Sequence, residues 1–510
     1  MIKKFKLYII LIAMAVSSAS CLDKMPEDGI PFDKSLQTVS DINLAVIGIY
    51  DAFRSNYLYS GNLTLLPDIQ TDLVYGVNGN TNIYGDIWRW KEIKPTNTDI
   101  EAVYGALYDV INRCNFMLDR ADAVRKKTTD DKDLDKLDQC CGEAYFARAL
   151  AYSELVKLFC KAYESDEDAA GQLGVILSQH YLGDETMRRA SLKDSYQFIL
   201  DDLDRAAELL ELEEDFNTDT QGTLYDSIYF NEYTVHALRA RVLLYMKRWE
   251  EAIKYATKVI DSGYYYLSSC TQAATSSASY YKYMWTNDFS TEAIWKVGFT
   301  INSYGGALGQ VFANYDYSSV RPDYVPAEWV INLYDLNDLR VSTYFQSFTT
   351  GYSHGLTWPL LIKYFGNESF TNYNILHVSM PKVLRLSEQY LIRAEAYVQQ
   401  EHPDYGKAGS DISVLRTARY SSYGGSTSLN KENAMDVIEQ ERVKELYMEG
   451  FRLHDLKRWH KGFERTPQDQ SLSNGSSLKV EKDDPLFVWP IPQHELDAPG
   501  SEIEPNESNK

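Results

Sequence analysis

The spacing Tyr145-x3-Ala149-x2-Tyr152 places a large, a small and a large residue along one helix face. It returns as His236-x3-Ala240-x2-Leu243 and as Tyr390-x3-Ala394-x2-Tyr397. Residues three and four apart are neighbours on a helix surface, and an alanine between two bulky side chains leaves room for a second helix. A chain with several such helices folds by stacking helix pairs, because one pair cannot bury its own apolar face. Ala252 and Ala256 follow Ala240 by 12 and 16 residues, where the second helix of a tetratricopeptide pair carries its own small residues. In the copy at 390 the matching Ala408 comes two residues late. Alanines at this spacing also serve ordinary helix packing, so the repeat stands beside that simpler reading.

The rest of the chain extends the helical pattern. Long helices are predicted over 99–125 and 134–161, and further ones near 191–212, 231–262, 382–400, 407–419 and 431–461. Ile42, Ala45, Val46 and Ile49 share a face behind Asp41. Residues 60–97, rich in Gly, Asn, Thr and aromatics, read as irregular loop with short strands. Residues 265–380 are rich in Ser, Tyr, Asn and Gly and carry few long amphipathic runs. The predicted architecture is mostly α: a helical region over 41–264, a loop-rich and aromatic-rich insert over 265–380, and a second helical region over 381–510.

The N-terminus carries export features. Lys3, Lys4 and Lys6 precede ten mostly apolar residues from Leu7 to Val16, too few for a membrane-spanning helix of about 20 residues. Small residues then lead to Cys21, a pattern that resembles a bacterial lipobox, with Ser18 where leucine is usual. Residues 1–20 are expected to be a lipoprotein signal peptide and 21–40 an extended tether. An ordinary signal peptide cut nearby is the alternative. Both readings take the chain out of the cytoplasm.

The formal charge of −22, from 51 basic and 73 acidic residues, opposes binding to nucleic acid or to anionic membrane surfaces. Cysteines at 114, 140, 141, 160 and 270 lack CxxC spacing and read as buried thiols with at most one bridge. No HExxH, Walker, GxSxG or GxGxxG pattern occurs, and no acidic pair stands in a recognisable catalytic context. Asp215, Asn217, Asp219 and Asp226 have part of a calcium loop's spacing, but Gly222 is late and the bidentate glutamate is missing. A polar loop between helices is the simpler reading. Neither a cofactor nor a metal is expected, and the chain is not expected to be an enzyme.

Three stretches near the C-terminus carry a family pattern: VLRLSEQYLIRAEAY at 383–397, VIEQERVKELYMEGFRLHDLKRWHKG at 437–462 and FVWPIPQHEL at 487–496. VYGALYDVINRCN at 103–115 and PAEWVINLYDLNDLR at 326–340, which ends on Asp338 and Arg340, add to it. Together they resemble the SusD/RagB family of outer-membrane nutrient-binding lipoproteins. The resemblance implies tetratricopeptide-type helix pairs bearing a variable binding subdomain. It also implies a lid over a TonB-dependent, SusC-like transporter barrel that captures oligosaccharides, with peptide capture of the RagB type as an alternative. A helical-repeat scaffold without a small ligand is a further alternative, though a scaffold has no need of the aromatic-rich insert. Glu441, Arg442, Glu445, Glu449, Arg452, Asp455 and Arg458 fall three and four apart and are expected to clamp neighbouring helices by ion pairs.

A neutral sugar presents apolar C–H faces ringed by hydroxyls, which flat aromatic rings and amides complement. Two regions have that makeup. In IWRWKEIKPTN, Trp88 and Trp90 would face the same side if the segment were extended, with Asn97 close behind. In SYGGALGQVFANYDYSSVRPDY, the tyrosines Tyr304, Tyr315, Tyr317 and Tyr324 lie among glycines and asparagines. Trp88, Trp90, Asn97, Tyr304, Tyr315 and Tyr317 are the predicted ligand-binding residues, with Trp285 and Trp358 as outer candidates and Cys21 as the lipidation site.

Overall fold

The computed structural model describes residues 34–510 apart from 92, 182, 184–186, 211–226, 352–356 and 466–476. Cys21 and the loop holding Asp215, Asn217, Asp219 and Asp226 lie outside the described residues.

Helix α1, Val39–Ala52, begins at a capping box: Thr38 Oγ1 accepts from the Asp41 amide, and the Asp41 carboxylate accepts from the Thr38 amide. Its buried face is Val39, Ile42, Val46 and Ile49. Helix α2, Asn62–Ile69, follows where loop was predicted, and its eight residues are all buried. The main frame comprises α3 (Thr98–Arg125), α4 (Asp131–Phe159), α5 (Leu192–Leu209), α6 (Glu232–Tyr245), α7 (Trp249–Ile260), α8 (Leu386–Gln399), α9 (Tyr405–Arg419), α10 (Ala434–Glu445) and α11 (Arg452–Arg458).

These helices pack as the alanine spacing requires. Helix α4 lies against α3 and α5, α6 against α7, and α8 against α7 and α9. Ala149, Ala240 and Ala394 are fully buried, as are Ala252, Ala256 and Ala408 in the partner helices. Two predicted helices are divided. The one over 231–262 breaks after Tyr245, where Lys247 adopts a left-handed φ of 58°. The one over 431–461 breaks at Met448 and Gly450, with φ of 58° and 84°. At Gly450 a Cβ would stand 3.1 Å from the Thr64 carbonyl oxygen of α2, so the chain passes there without a side chain. The buried Asp68 carboxylate then accepts from the Gly450 and Arg452 amides at 2.9 and 2.8 Å, capping α11.

The insert is stitched to both helical regions. Its strand Tyr324–Pro326 pairs antiparallel with Val74–Gly76, and Ala293–Lys296 pairs with Lys382–Arg385, which is strand where a helix start was predicted. A separate apolar core beneath it joins Leu65, Ile69, Tyr75 and Trp88 to Tyr281, Trp285, Phe312, Tyr324 and Tyr344.

The charged motif clamps these parts together. Glu445 sits between three guanidiniums, at 3.0 Å from Arg340, 3.0 Å from Arg385 and 2.8 Å from Arg419. Arg340 also reaches Asp338 and Glu441, both at 2.7 Å, while Arg385 and Arg419 share Glu292. Burial alone would raise the Glu445 pKa; Arg419 and Arg385 outweigh it and hold the carboxyl well below its usual range. Arg442 pairs with Asp455, Arg452 with Asp72, and Arg458 with Glu395. The hub joins the insert through Glu292 and Arg340, α9 through Arg419 and α10 through Glu441 and Glu445. Its role is to hold the structure together. Cys114, Cys140, Cys141, Cys160 and Cys270 are free buried thiols.

Candidate functional site

Trp88, Trp90 and Asn97 are not brought together on one exposed surface. Residues Gly85–Trp88 make a helical turn, and Trp90 follows with a left-handed φ of 57°, so the alternation of an extended strand is lost. The two rings enter different cores. Trp88, 2% exposed, donates its indole N–H to the Val74 carbonyl at 3.3 Å, and the Arg465 guanidinium lies 4.5 Å from the ring centroid. Trp90, 9% exposed, donates to the Gln70 carbonyl and packs against Phe463 and Phe487. Asn97 caps α3, its side-chain oxygen accepting from the Asp99 and Ile100 amides. Trp285 and Tyr324 are buried as well. The Trp285 ring is covered by the cations of Lys363, Lys382 and Arg385, and the Tyr324 hydroxyl donates to the Ile83 carbonyl at 2.6 Å.

The remaining predicted tyrosines are brought together by one segment, residues 366–377. Tyr304, 45% exposed, packs on Phe370 with centroids 6.2 Å apart. Tyr317, 58% exposed, donates its hydroxyl to Asn374 Oδ1 at 3.1 Å. Tyr315 is half-buried between Tyr317 and Phe365, at 5.6 and 5.5 Å. Phe365 in turn lies parallel to Phe348 at 6.2 Å, and Phe348 sits opposite Trp358 in the hairpin Phe345–Thr349/Thr357–Leu361. Tyr373, 63% exposed, and the exposed Asn372 and Asn374 occupy the same segment. The result is a surface of rings interleaved with amides.

The local chain is built to hold these rings outward. A Cβ on Gly309 would stand 1.7 Å from the Tyr364 carbonyl oxygen, so glycine lets the helical turn Gln310–Ala313, which leads to Tyr315, lie directly on the 364–377 chain. Asn314 and Tyr317 have left-handed φ of 41° and 69°, which costs a tyrosine about 1–2 kcal/mol. Asp316 offsets it by accepting from the Ser318 hydroxyl and from the Ser318 and Ser319 amides, which pulls its pKa down to about 2. The buried His377 accepts the Tyr315 amide at Nε2, 2.9 Å away, and burial lowers its pKa. Beneath the segment, the Asp288 carboxylate takes Lys382 on one oxygen and Asn367 on the other at 2.5 Å. Asn367 caps the turn Glu368–Thr371 through the Ser369 amide at 2.8 Å.

Sequence reasoning missed Phe348, Phe365, Phe370, Tyr373 and Asn374. The signal was present in NESFTNYN at 367–374, where asparagines alternate with rings.

Residues 336–503 match the model of the SusD family, and residues 25–225 match a second model described as starch-binding associating with outer membrane. The chain belongs to the SusD family. Solved SusD-type structures share its fold. A SusD superfamily protein from Bacteroides thetaiotaomicron superposes with a TM-score of 0.76 at 23% identity, covering 92% of this chain and 99% of that one. A SusD-like carbohydrate binding protein from Bacteroides vulgatus gives 0.69 at 21% identity, over 90% and 96% of the chains. Surface glycan-binding protein A from Bacteroides fluxus gives 0.67 at 20% identity, over 92% and 100%. By sequence, SusD-like protein P2 from Formosa agariphila is 24% identical over 162 residues, which is 31% of this chain and 30% of that protein. SusD-like protein P25 from the same organism is 25% identical over 165 residues, 31% of this chain and 30% of that protein. No helix among the described residues is long and apolar enough to cross a membrane.

Proposed function

We propose that this SusD-family chain is a lipid-anchored cell-surface protein that binds neutral oligosaccharides through the tyrosine surface along residues 366–377 and passes them to a TonB-dependent, SusC-like transporter. The observation that carries the binding reading is the exposure of Tyr304, Tyr317 and Tyr373 beside Asn372 and Asn374. Rings match the C–H faces of a sugar and amides match its hydroxyls, so the recognition needs neither a metal nor acid–base chemistry. The carbohydrate-binding and glycan-binding names of the structural relatives, and the starch-binding description of the second family model, support the same ligand class. No reaction is part of this role. Tyr317→Ala is expected to weaken oligosaccharide binding about tenfold, since one stacked ring contributes about 1–3 kcal/mol and 1.4 kcal/mol is one decade. Calorimetric titration against a panel of neutral glycans and peptides measures it. Binding of peptides alone would replace the ligand class, and an unchanged affinity would remove the tyrosines from the site.

Anchoring and delivery are the second part of the reading. Cys21 becomes the lipidated N-terminus after loss of residues 1–20, and the residues between it and Thr38 tether the folded region to the membrane, a shorter tether than the expected 21–40 because α1 already starts at Val39. Lipid chains contribute about 0.8 kcal/mol per buried methylene, so Cys21→Ala should move the protein from the membrane to the soluble or unprocessed fraction. Extraction of the native protein in mild detergent should recover a barrel of outer-membrane type with it. Full membrane retention of the variant counts against the anchor; recovery of the chain alone in several detergents counts against the lid.

A further inference from the structure

A second pair of rings is tied to the same segment through Asn287. Phe289 is 36% exposed and meets the half-buried Tyr283 with centroids 5.9 Å apart. Asp288 sits between Asn287 and Phe289 with a left-handed φ of 58°. Its carboxylate points inward to Lys382 and Asn367, and its carbonyl accepts from Lys296 Nζ at 2.5 Å. With Asp288 turned in, its two neighbours are carried to the surface. Asn287 Nδ2 then reaches Glu368 Oε2 at 3.4 Å, and Glu368 opens the turn Glu368–Thr371 that precedes Tyr373 and Asn374. Two polar links thus join the row: Asn287 to Glu368 on one side of the segment, and Asn374 to Tyr317 on the other.

We infer that Tyr283, Asn287 and Phe289 form a second contact surface across the 366–377 segment, which makes the chain selective for neutral oligosaccharides long enough to reach both sides. This rests on the reading of the tyrosine surface given above and adds ligand length and charge to it. The charged side chains beside these rings are the carboxylates Glu368 and Asp316 and the cations Lys282, next to Tyr283, and Arg321, four residues after Tyr317. The carboxylates nearest the tyrosines offer acceptors to neutral hydroxyls and disfavour uronate-rich or sulfated chains there. One buried residue serves both halves, since Asp288 fixes Asn367 under the tyrosine side and orients Asn287 and Phe289 on the other.

The test is titration of the full chain with neutral oligosaccharide ladders, disaccharide to heptasaccharide, of α-glucan, β-glucan, mannan, xylan and galactan. Wild-type affinity should rise with length beyond the shortest members. Phe289→Ala should cost about fivefold or more on the longest member bound and under twofold on the shortest, with melting unchanged, while Tyr317→Ala weakens every length. If Phe289→Ala lowers the melting temperature, Asn287→Ala carries the same comparison. Should both Phe289→Ala and Asn287→Ala bind every length as wild type while Tyr317→Ala is weakened, the second surface is refuted and the tyrosine site stands. Should Tyr317→Ala also match wild type, or should wild type bind no ladder at all, the tyrosine reading fails and this inference fails with it. Stronger binding of a polygalacturonate ladder than of every neutral one would overturn the charge selection.

Discussion

Glu445→Ala is expected to destabilise the protein by about 3–5 kcal/mol, because it strands three buried guanidiniums around an empty position. Arg340, Arg385 and Arg419 are fully buried, and each gives part of its hydrogen-bonding capacity to this one carboxylate. Glu292, Glu441 and Asp338 stay in place, but the hub loses its central negative charge where water cannot replace it. The loss also has a pH signature. The Glu445 pKa is depressed in the folded state, so its contribution is fully present above the unfolded carboxylate value of about 4.3 and fades as pH falls through the lower folded value. Denaturant titrations of wild type and variant should therefore differ by a constant amount above about pH 5 and converge in more acidic solution. Equal stability at neutral pH would mean that the hub contributes nothing net. Glu445→Gln, which keeps the shape and one carbonyl acceptor, should still lose the larger share, since the charge is what balances the guanidiniums.

Trp88→Ala should produce a loss of similar size, about 3–5 kcal/mol, with oligosaccharide affinity untouched in the protein that remains folded. The indole fills the core beneath the insert, in edge contact with Tyr75 at 5.5 Å and tilted on Tyr324 at 6.3 Å. Gly76 is held close: a Cβ there would stand 3.3 Å from the ring. Removing the ring leaves a cavity where strand Val74–Gly76 meets the insert and takes the flat support from Arg465. Thermal melts paired with calorimetry separate the two roles. A variant that melts like wild type yet binds sugar more weakly would return Trp88 to the ligand surface.

Trp88 and Trp90 show where local sequence loses its hold. Aromatic pairs near asparagines suit a sugar site and a core equally well, because both bury apolar rings and satisfy an indole N–H. What covers the rings comes from far along the chain: Arg465 lies 377 residues from Trp88, and Phe463 and Phe487 close over Trp90. The breaks at Lys247 and at Met448–Gly450 were hidden for a related reason. Helical periodicity runs through both, and each helix stops just before a left-handed residue. At Gly450 the contact responsible is the close passage of α2.

The helix-pair frame, by contrast, is written locally. Ala149, Ala240 and Ala394 are small because a second helix crosses there, and a spacing of three and four residues records that face without any distant information. The clamping role of Glu441 to Arg458 was legible in the same way, since alternating charges at helical spacing in an apolar stretch have to find partners as they are buried. The sequence by itself determined the mostly α fold, the helix pairs and the aromatic character of the insert. The tertiary structure alone decided which rings stay exposed. Helix faces follow from residue spacing, whereas the exposure of Tyr304, Tyr317 and Tyr373 depends on how segment 366–377, pinned through Asn367 to Asp288, is laid over the insert core by contacts between residues remote in the chain.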